Sequence, residues 1–225
     1  MLFDKCFTFD MEDAKKFQIE YLPMFWMPVS GSVSVSEKPR VFFVGSIHSD
    51  RYQVLKAIIS QLNILNIDYY IKLYVPRKMT WLLALRVFVN KMMGVNNVLN
   101  DVYEILSSDE KPPFIVDTPI NLSEFNIEMA RATHIIDIEQ PCQTALTPRV
   151  VQALAMGKRI ISTNYHFQEL NFYDLDYVWL IDRNKPIIDI TFLKSRKKVP
   201  VLNSILELEL SKWIYHLLEE KYEKK

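Results

Sequence analysis

The chain has 225 residues, and its 27 lysines and arginines balance 27 aspartates and glutamates, so no long-range field favours nucleic acid or an anionic membrane. Hydrophobic residues make up 49% of it, enough at this length for one substantial core, and the two cysteines, Cys6 and Cys142, are too few for a disulfide framework. No run of about 18 uncharged apolar residues occurs, which excludes a spanning helix, and no secretory leader pattern is read; the expectation is a cytoplasmic protein with reduced thiols.

Residues 3–9 alternate and predict a strand, and Asp10 is placed to cap a helix over 11–17. Residues 21–27 are apolar and aromatic; Tyr21, Phe25 and Trp26 require a covering surface, either the C-terminal helix or a partner chain. The serine-rich stretch 28–39 reads as a linker, which divides the chain into an N-terminal remnant with linker (1–39) and a main domain (40–225).

The main domain opens with a buried strand at 40–44 that ends at Gly45-Ser46, followed by a helix over 51–65 capped by Ser49 or Asp50. Gly45 permits close backbone approach, and Ser46, His48, Ser49 and Arg51 line the turn where a Rossmann-like domain presents its first phosphate-facing loop. The three-glycine fingerprint is absent, so a plain turn with a capped helix is an equal reading of the spacing. Residues 67–75 predict a second strand, 79–93 and 96–106 helices, 114–116 a short strand and 123–132 a helix. Trp81, Leu82, Leu83, Leu85, Val87, Phe88 and Met92, set among Arg77, Lys78, Arg86 and Lys91, make an amphipathic helix that either packs on the core or lies in a membrane surface.

Residues 134–164, HIIDIEQPCQTALTPRVVQALAMGKRIISTN, lay a strand, a polar loop, a capped helix, a glycine stop and a second strand end to end. Thr147 suits the N-cap, Pro148 the first helical position and Gly157 the left-handed stop. A helix beginning Thr-Pro-Arg offers unpaired N–H groups, a positive dipole end and the Arg149 guanidinium, a seat for a diphosphate; the plainer reading is that Thr147 only caps and Arg149 only solvates. A strand at 177–181 and helices at 189–194 and 203–221 complete the chain. Alternating strands and helices in this order predict an α/β fold, a Rossmann-like doubly wound, mostly parallel sheet.

Other polar groups carry less. Asp137 and Glu139 fall on one strand face but lack a third ligand, and the four histidines, His48, His134, His166 and His216, have no metal-ligand spacing; no metal and no cofactor is read. Cys142 has no partner that would make it a nucleophile.

The segment DIEQPCQTALTPRVVQALAMGKRIISTN resembles the C-terminal half of a bacterial family of lipopolysaccharide-core and capsular-polysaccharide biosynthesis proteins, regarded as GT-B-type glycosyltransferases. FDKCFTFDMEDAKKF, VFFVGSIHSDRYQVL and VWLIDRNKPIIDITFL resemble the same family in the same order, so the likeness runs through nearly the whole chain. The resemblance implies a nucleotide diphosphate sugar donor on this half of a GT-B fold and a lipid-linked or lipopolysaccharide acceptor, with peripheral contact at the inner membrane left open. Family members carry a Rossmann-like domain ahead of the FDKCFTFD segment. This sequence begins almost on that segment, so the expectation is a donor half lacking most of the first domain and, with it, the catalytic base.

On that reading the diphosphate lies near Gly45, Ser46, His48, Ser49 and Arg51 on one side and Gln143, Thr144, Thr147 and Arg149 on the other, with arginines and helix N–H groups stabilising the departing charge. Gln152, where the family pattern resembles Arg-Thr-x-Glu, reaches the ribose. Arg149→Ala is expected to weaken nucleotide binding and leave the fold intact. The alternatives are a non-catalytic nucleotide-sugar-binding or scaffold protein and an unrelated Rossmann-like nucleotide binder.

Overall fold

A computed structural model describes residues 5–29, 34–76, 81–94, 98–141, 143–169, 174, 176–195 and 197–222. The N-terminal segment folds as β1 (Phe7–Thr8), α1 (Met11–Phe17) and β2 (Glu20–Tyr21), the two short strands pairing in parallel. Asp10 caps α1 as its position foretells, its carboxylate accepting from the N–H groups of Glu12 and Asp13. Of the predicted 3–9 strand, residues 3 and 4 lie outside the described residues, and among the rest Phe7 and Thr8 pair, with Glu20 and Tyr21.

The main domain runs β3 (Arg40–Ser46), α2 (Arg51–Ile64), β4 (Asp68–Tyr74), α3 (Trp81–Met92), α4 (Val98–Ser107), β5 (Ile115–Val116), α5 (Leu122–Arg131), β6 (His134–Asp137), α6 (Pro148–Ala155), β7 (Arg159–Ser162), β8 (Val178–Leu180), α7 (Ile190–Lys194), α8 (Asn203–Leu206) and α9 (Leu210–Tyr222). Six of these strands form one sheet in the order β5-β4-β3-β6-β7-β8, every pair parallel. Numbered within the sheet this is 3-2-1-4-5-6, the Rossmann-like doubly wound order, and its direction of winding reverses between β3 and β6.

Alternation along the strands builds two cores, one on each face. Val41 and Phe43 of β3, with Ile136, Ile138 and Ile161, meet α2 and α7 through Leu55, Ile58, Leu62, Phe192 and Leu193. Phe42, Ile135 and Ile160 point the other way, onto Val150, Val151 and Leu154 of α6, Met129 of α5 and Ile205 of α8. Strands buried on both faces read as continuous apolar runs, which is why 40–44 and 134–138 stand out in the sequence.

The aromatic segment 21–27 finds its cover on the C-terminal helices. Trp26 Nε1 donates to the Ile205 carbonyl at 2.7 Å, Trp213 Nε1 donates to that of Pro23 at 2.8 Å, and the rings of Phe25 and Trp213 lie 5.2 Å apart. This docking also explains a departure from the expected single helix over 203–221. Trp26 donates its N–H to the Leu208 carbonyl and accepts from the Leu210 N–H, so the backbone there bridges to the N-terminal segment and the helix divides into α8 and α9.

Candidate functional site at the switch point of the sheet

β3 and β6 pair only at Val41–His134 and Phe42–Ile135, then part, while β3 stays paired with β4 through Ser46 and β6 with β7 through Asp137. The parted carboxyl ends leave a crevice at the reversal of strand order, where open parallel sheets bind ligands. Two arginines span it. Arg149, in the first turn of α6, donates through Nη2 to the Val44 carbonyl at 2.9 Å and through Nη1 to Asp137 Oδ1 at 3.1 Å. Arg51, the first residue of α2, donates through Nη1 to the Ser46 carbonyl at 2.7 Å and through Nε to that of Ile138 at 3.0 Å, with Nη2 on the same oxygen. Carbonyls at the two diverging ends are thus bridged by guanidinium groups.

Phe43 supports both cations from below, its ring centroid 4.8 Å from Arg149 Cζ and 5.4 Å from Arg51 Cζ. A Cβ built on Gly45 would come within 3.0 Å of the Phe43 ring, 3.1 Å of Arg51 and 3.3 Å of Arg149. The glycine therefore makes room for the chain's own guanidinium groups, whereas the sequence suggested room for an approaching ligand. Burial, with Arg149 beside it, pushes Arg51 below the ordinary arginine range against the pull of Asp137 and Glu139; burial does the same to Arg149 against Asp137.

Asp137 is 1% exposed, and its Oδ1 also accepts from the Thr147 hydroxyl at 2.8 Å. The same hydroxyl accepts from the Val150 N–H, so Thr147 caps α6 as expected and also fixes the carboxylate. Glu139 accepts from the Thr163 hydroxyl at 2.5 Å. It also pairs with Arg183, which donates to Asp50 Oδ1 at 2.7 Å. Arg183 escaped the sequence reading; the signal available was its place just after β8, since loops following parallel strands share one edge. Asp137 and Glu139 each face an arginine, and no group of three potential metal ligands gathers among the described residues.

Several expected ligand contacts are engaged within the chain. Both ends of the Gln152 amide bind the backbone of Met27, the Thr144 hydroxyl donates to Asp10 Oδ2 at 2.5 Å, and Gln143 is half-buried with its N–H on the Gln140 carbonyl. The expectation that Arg149→Ala spares the fold also needs correction, because it would strand the Asp137 carboxylate in the interior. Cys142 lies outside the described residues.

Ser46 is exposed at the mouth, and His48 Nδ1 lies 2.9 Å from the Ser49 hydroxyl, Ser49 itself adopting φ 42°. Burial and then the charges of Arg51 and Arg183 push His48 down to about 4, with Asp50 opposing. Beside it a cavity of about 930 Å³ opens between α2 and α4, lined in part by Ser49, Asp50, Gln53, Asp101, Tyr103 and Glu104.

Fold and edge together define a Rossmann-like α/β domain whose switch point is polar, its arginines Arg51, Arg149 and Arg183 set among the carboxylates of Asp50, Asp137 and Glu139. The chain matches no protein-family model and no curated protein.

Proposed function

We propose that this chain binds a nucleotide diphosphate sugar at the β3/β6 switch point, as the donor-binding half of a GT-B-like glycosyltransferase acting in lipopolysaccharide-core or capsular-polysaccharide synthesis. The observation that carries the reading is the parted β3 and β6 ends, bridged by Arg51 and Arg149 and edged by Arg183. Three guanidinium groups share this crevice with the carboxylates of Asp50, Asp137 and Glu139, so its charges balance, and what favours a diphosphate is the start of α2 with the Ser46, His48 and Ser49 loop at the parted strand ends. In this arrangement Arg51 and Arg149 act by holding the strand ends, while direct phosphate contacts fall to Ser46, His48, Ser49 and the outer face of Arg183. The adjoining cavity has the volume of a nucleoside or sugar site, and Asp101, Glu104 and Gln53 supply acceptors for hydroxyl groups.

A second reading, binding without transfer, is favoured by Gln152 and Thr144 being engaged by Met27 and Asp10. Titration calorimetry with UDP, GDP, ADP and dTDP tests both. Saturable binding of one nucleoside diphosphate is the expected result, and no heat from any of them at millimolar concentration rejects the donor site. Release of free nucleoside diphosphate from the matching sugar nucleotide in the presence of acceptor lipid then separates transfer from binding alone.

A further inference from the structure

Helix α3 turns its apolar residues outward. Leu85, Phe88, Val89, Met92 and Met93 fall at i, i+3, i+4, i+7 and i+8, one stripe of a helix, and each is between 45% and 76% exposed, while Val87 on the opposite side is 2% exposed; the side chains of Trp81, Leu82, Leu83 and Lys91 lie outside the described ones, as do Arg77 and Lys78. The core-packed alternative foreseen for this helix therefore accounts for one side of it only. Its charge is equally one-sided: from residue 77 to residue 100 the sequence contains Arg77, Lys78, Arg86 and Lys91 and no acidic residue, in a chain that is neutral overall.

The topology places this helix. β4 leaves the sheet at its carboxyl edge, and α4 runs alongside α2, with Gln53 donating to Asp101 at 2.6 Å and Lys56 lying 3.6 Å from Glu104. The α4 helix thus makes the crossover toward β5, and α3, which precedes it in the chain, packs against it.

From an exposed apolar stripe bordered by the exposed Arg86, in a stretch of sequence whose charged residues are all basic, we infer that α3 docks the protein on an anionic phospholipid surface. An amphipathic helix with cations about its apolar stripe lies in the interfacial plane, its side chains entering the acyl boundary while basic groups meet lipid phosphates. Anionic lipid is the occupant that satisfies both features; a protein groove would satisfy the stripe without calling for the absence of acids. Among the described residues no helix is long and apolar enough to cross a membrane, so the attachment is peripheral. The inference stands independently of the nucleotide reading: failure to float leaves calorimetry with nucleoside diphosphates untouched, and the reverse.

Flotation of the full chain with phosphatidylcholine vesicles, with and without phosphatidylglycerol, at low and high salt, is the test. Binding is expected only with phosphatidylglycerol and is expected to weaken with salt; Phe88→Asp with Met92→Asp, both at exposed positions, should lower it by at least about tenfold, and Arg86→Glu should lower it with the fold retained by circular dichroism. Absence of flotation with anionic vesicles, equal flotation with phosphatidylcholine alone, or an undiminished double variant overturns the proposal. So does light scattering that finds a dimer dispersed by the double variant when vesicles bind neither protein, since the stripe is then a contact between copies.

Discussion

Gln152 closes both ends of its side-chain amide on the backbone of Met27, Oε1 accepting from the Met27 N–H at 3.0 Å and Nε2 donating to its carbonyl at 2.9 Å. The two residues are 125 apart in sequence, and their pairing fastens the N-terminal segment to α6, the helix that opens onto the switch point. Asp10 and Thr144 make a second clasp nearer the amino end of the same helix. What surrounds the candidate site is therefore partly set by residues 5–29, a segment that the sequence presents as a remnant in need of cover.

Gln152→Ala should loosen this segment without unfolding the domain. Two hydrogen bonds at about 1 kcal/mol each are lost at a partly exposed position where water can replace them, so the expected cost is about 1–2 kcal/mol. Proteolysis within residues 18–29 should become faster while urea unfolding of the main domain shifts little. An unchanged cleavage pattern would mean that the Trp26, Trp213 and Asp10–Thr144 contacts hold the segment without Gln152.

Arg149 and Asp137 form a buried pair, 14% and 1% exposed, and removing one partner leaves the other charge in the interior. Arg149→Met should therefore destabilise the fold by about 3–5 kcal/mol, the range for breaking such a pair. Arg149→Met combined with Asp137→Asn should recover much of the loss, since no uncompensated charge remains. Urea denaturation of the two variants measures this directly, and equal stability of the single and double variants would show that the charge is not what matters.

Local chemistry made the element boundaries legible. Asp10 ahead of 11–17, Thr147-Pro148 ahead of α6 and Gly157 at φ 64° behind it each mark an end through their own backbone preferences. The doubly wound, mostly parallel sheet followed from alternation of strand and helix signals, because short right-handed crossovers leave few arrangements, while the order of its strands was read only from the structure. The partners of the site residues were not legible. Arg149 meets Val44 across 105 residues and Arg51 meets Ile138 across 87, and nothing in Thr-Pro-Arg distinguishes a guanidinium turned toward solvent from one turned onto a neighbouring strand. The division between α8 and α9 was hidden for the same reason, since Trp26, distant in sequence, causes it.

Acid sensitivity should trace to His134, 1% exposed at the start of β6, with its ring 5.5 Å from that of Phe192. Burial lowers it to about 4, the contact with the Phe192 carbonyl opposing and Arg159 reinforcing. Because the folded protein disfavours the imidazolium that the unfolded chain binds near pH 6.5, the unfolded state holds more protons between the two values. Stability contributed by neutral His134 is then complete above pH 6.5 and is lost as pH falls toward 4, by about 3 kcal/mol over the window at about 1.4 kcal/mol per unit. His134→Gln should flatten the pH dependence of the urea midpoint in that window; a parallel curve would assign the acid loss elsewhere.

Arg183 offers the most direct handle on the potential at the switch point, because it joins Asp50 at the start of α2 to Glu139 beyond β6. Arg183→Ala removes a positive charge that depresses His48 and releases Asp50, which raises it. Both changes act in the same direction, so the His48 imidazole, held at about 4 in the native chain, should titrate closer to its ordinary range. The same logic links His48 to ligand: a bound diphosphate brings negative charge to this loop, favours the protonated ring, and by linkage binds more tightly as pH falls toward the His48 value. NMR titration of the imidazole in native and Arg183→Ala protein, with and without the nucleoside diphosphate that gives heat, reads both shifts. A His48 resonance indifferent to both the substitution and the nucleotide would place the anion away from this loop.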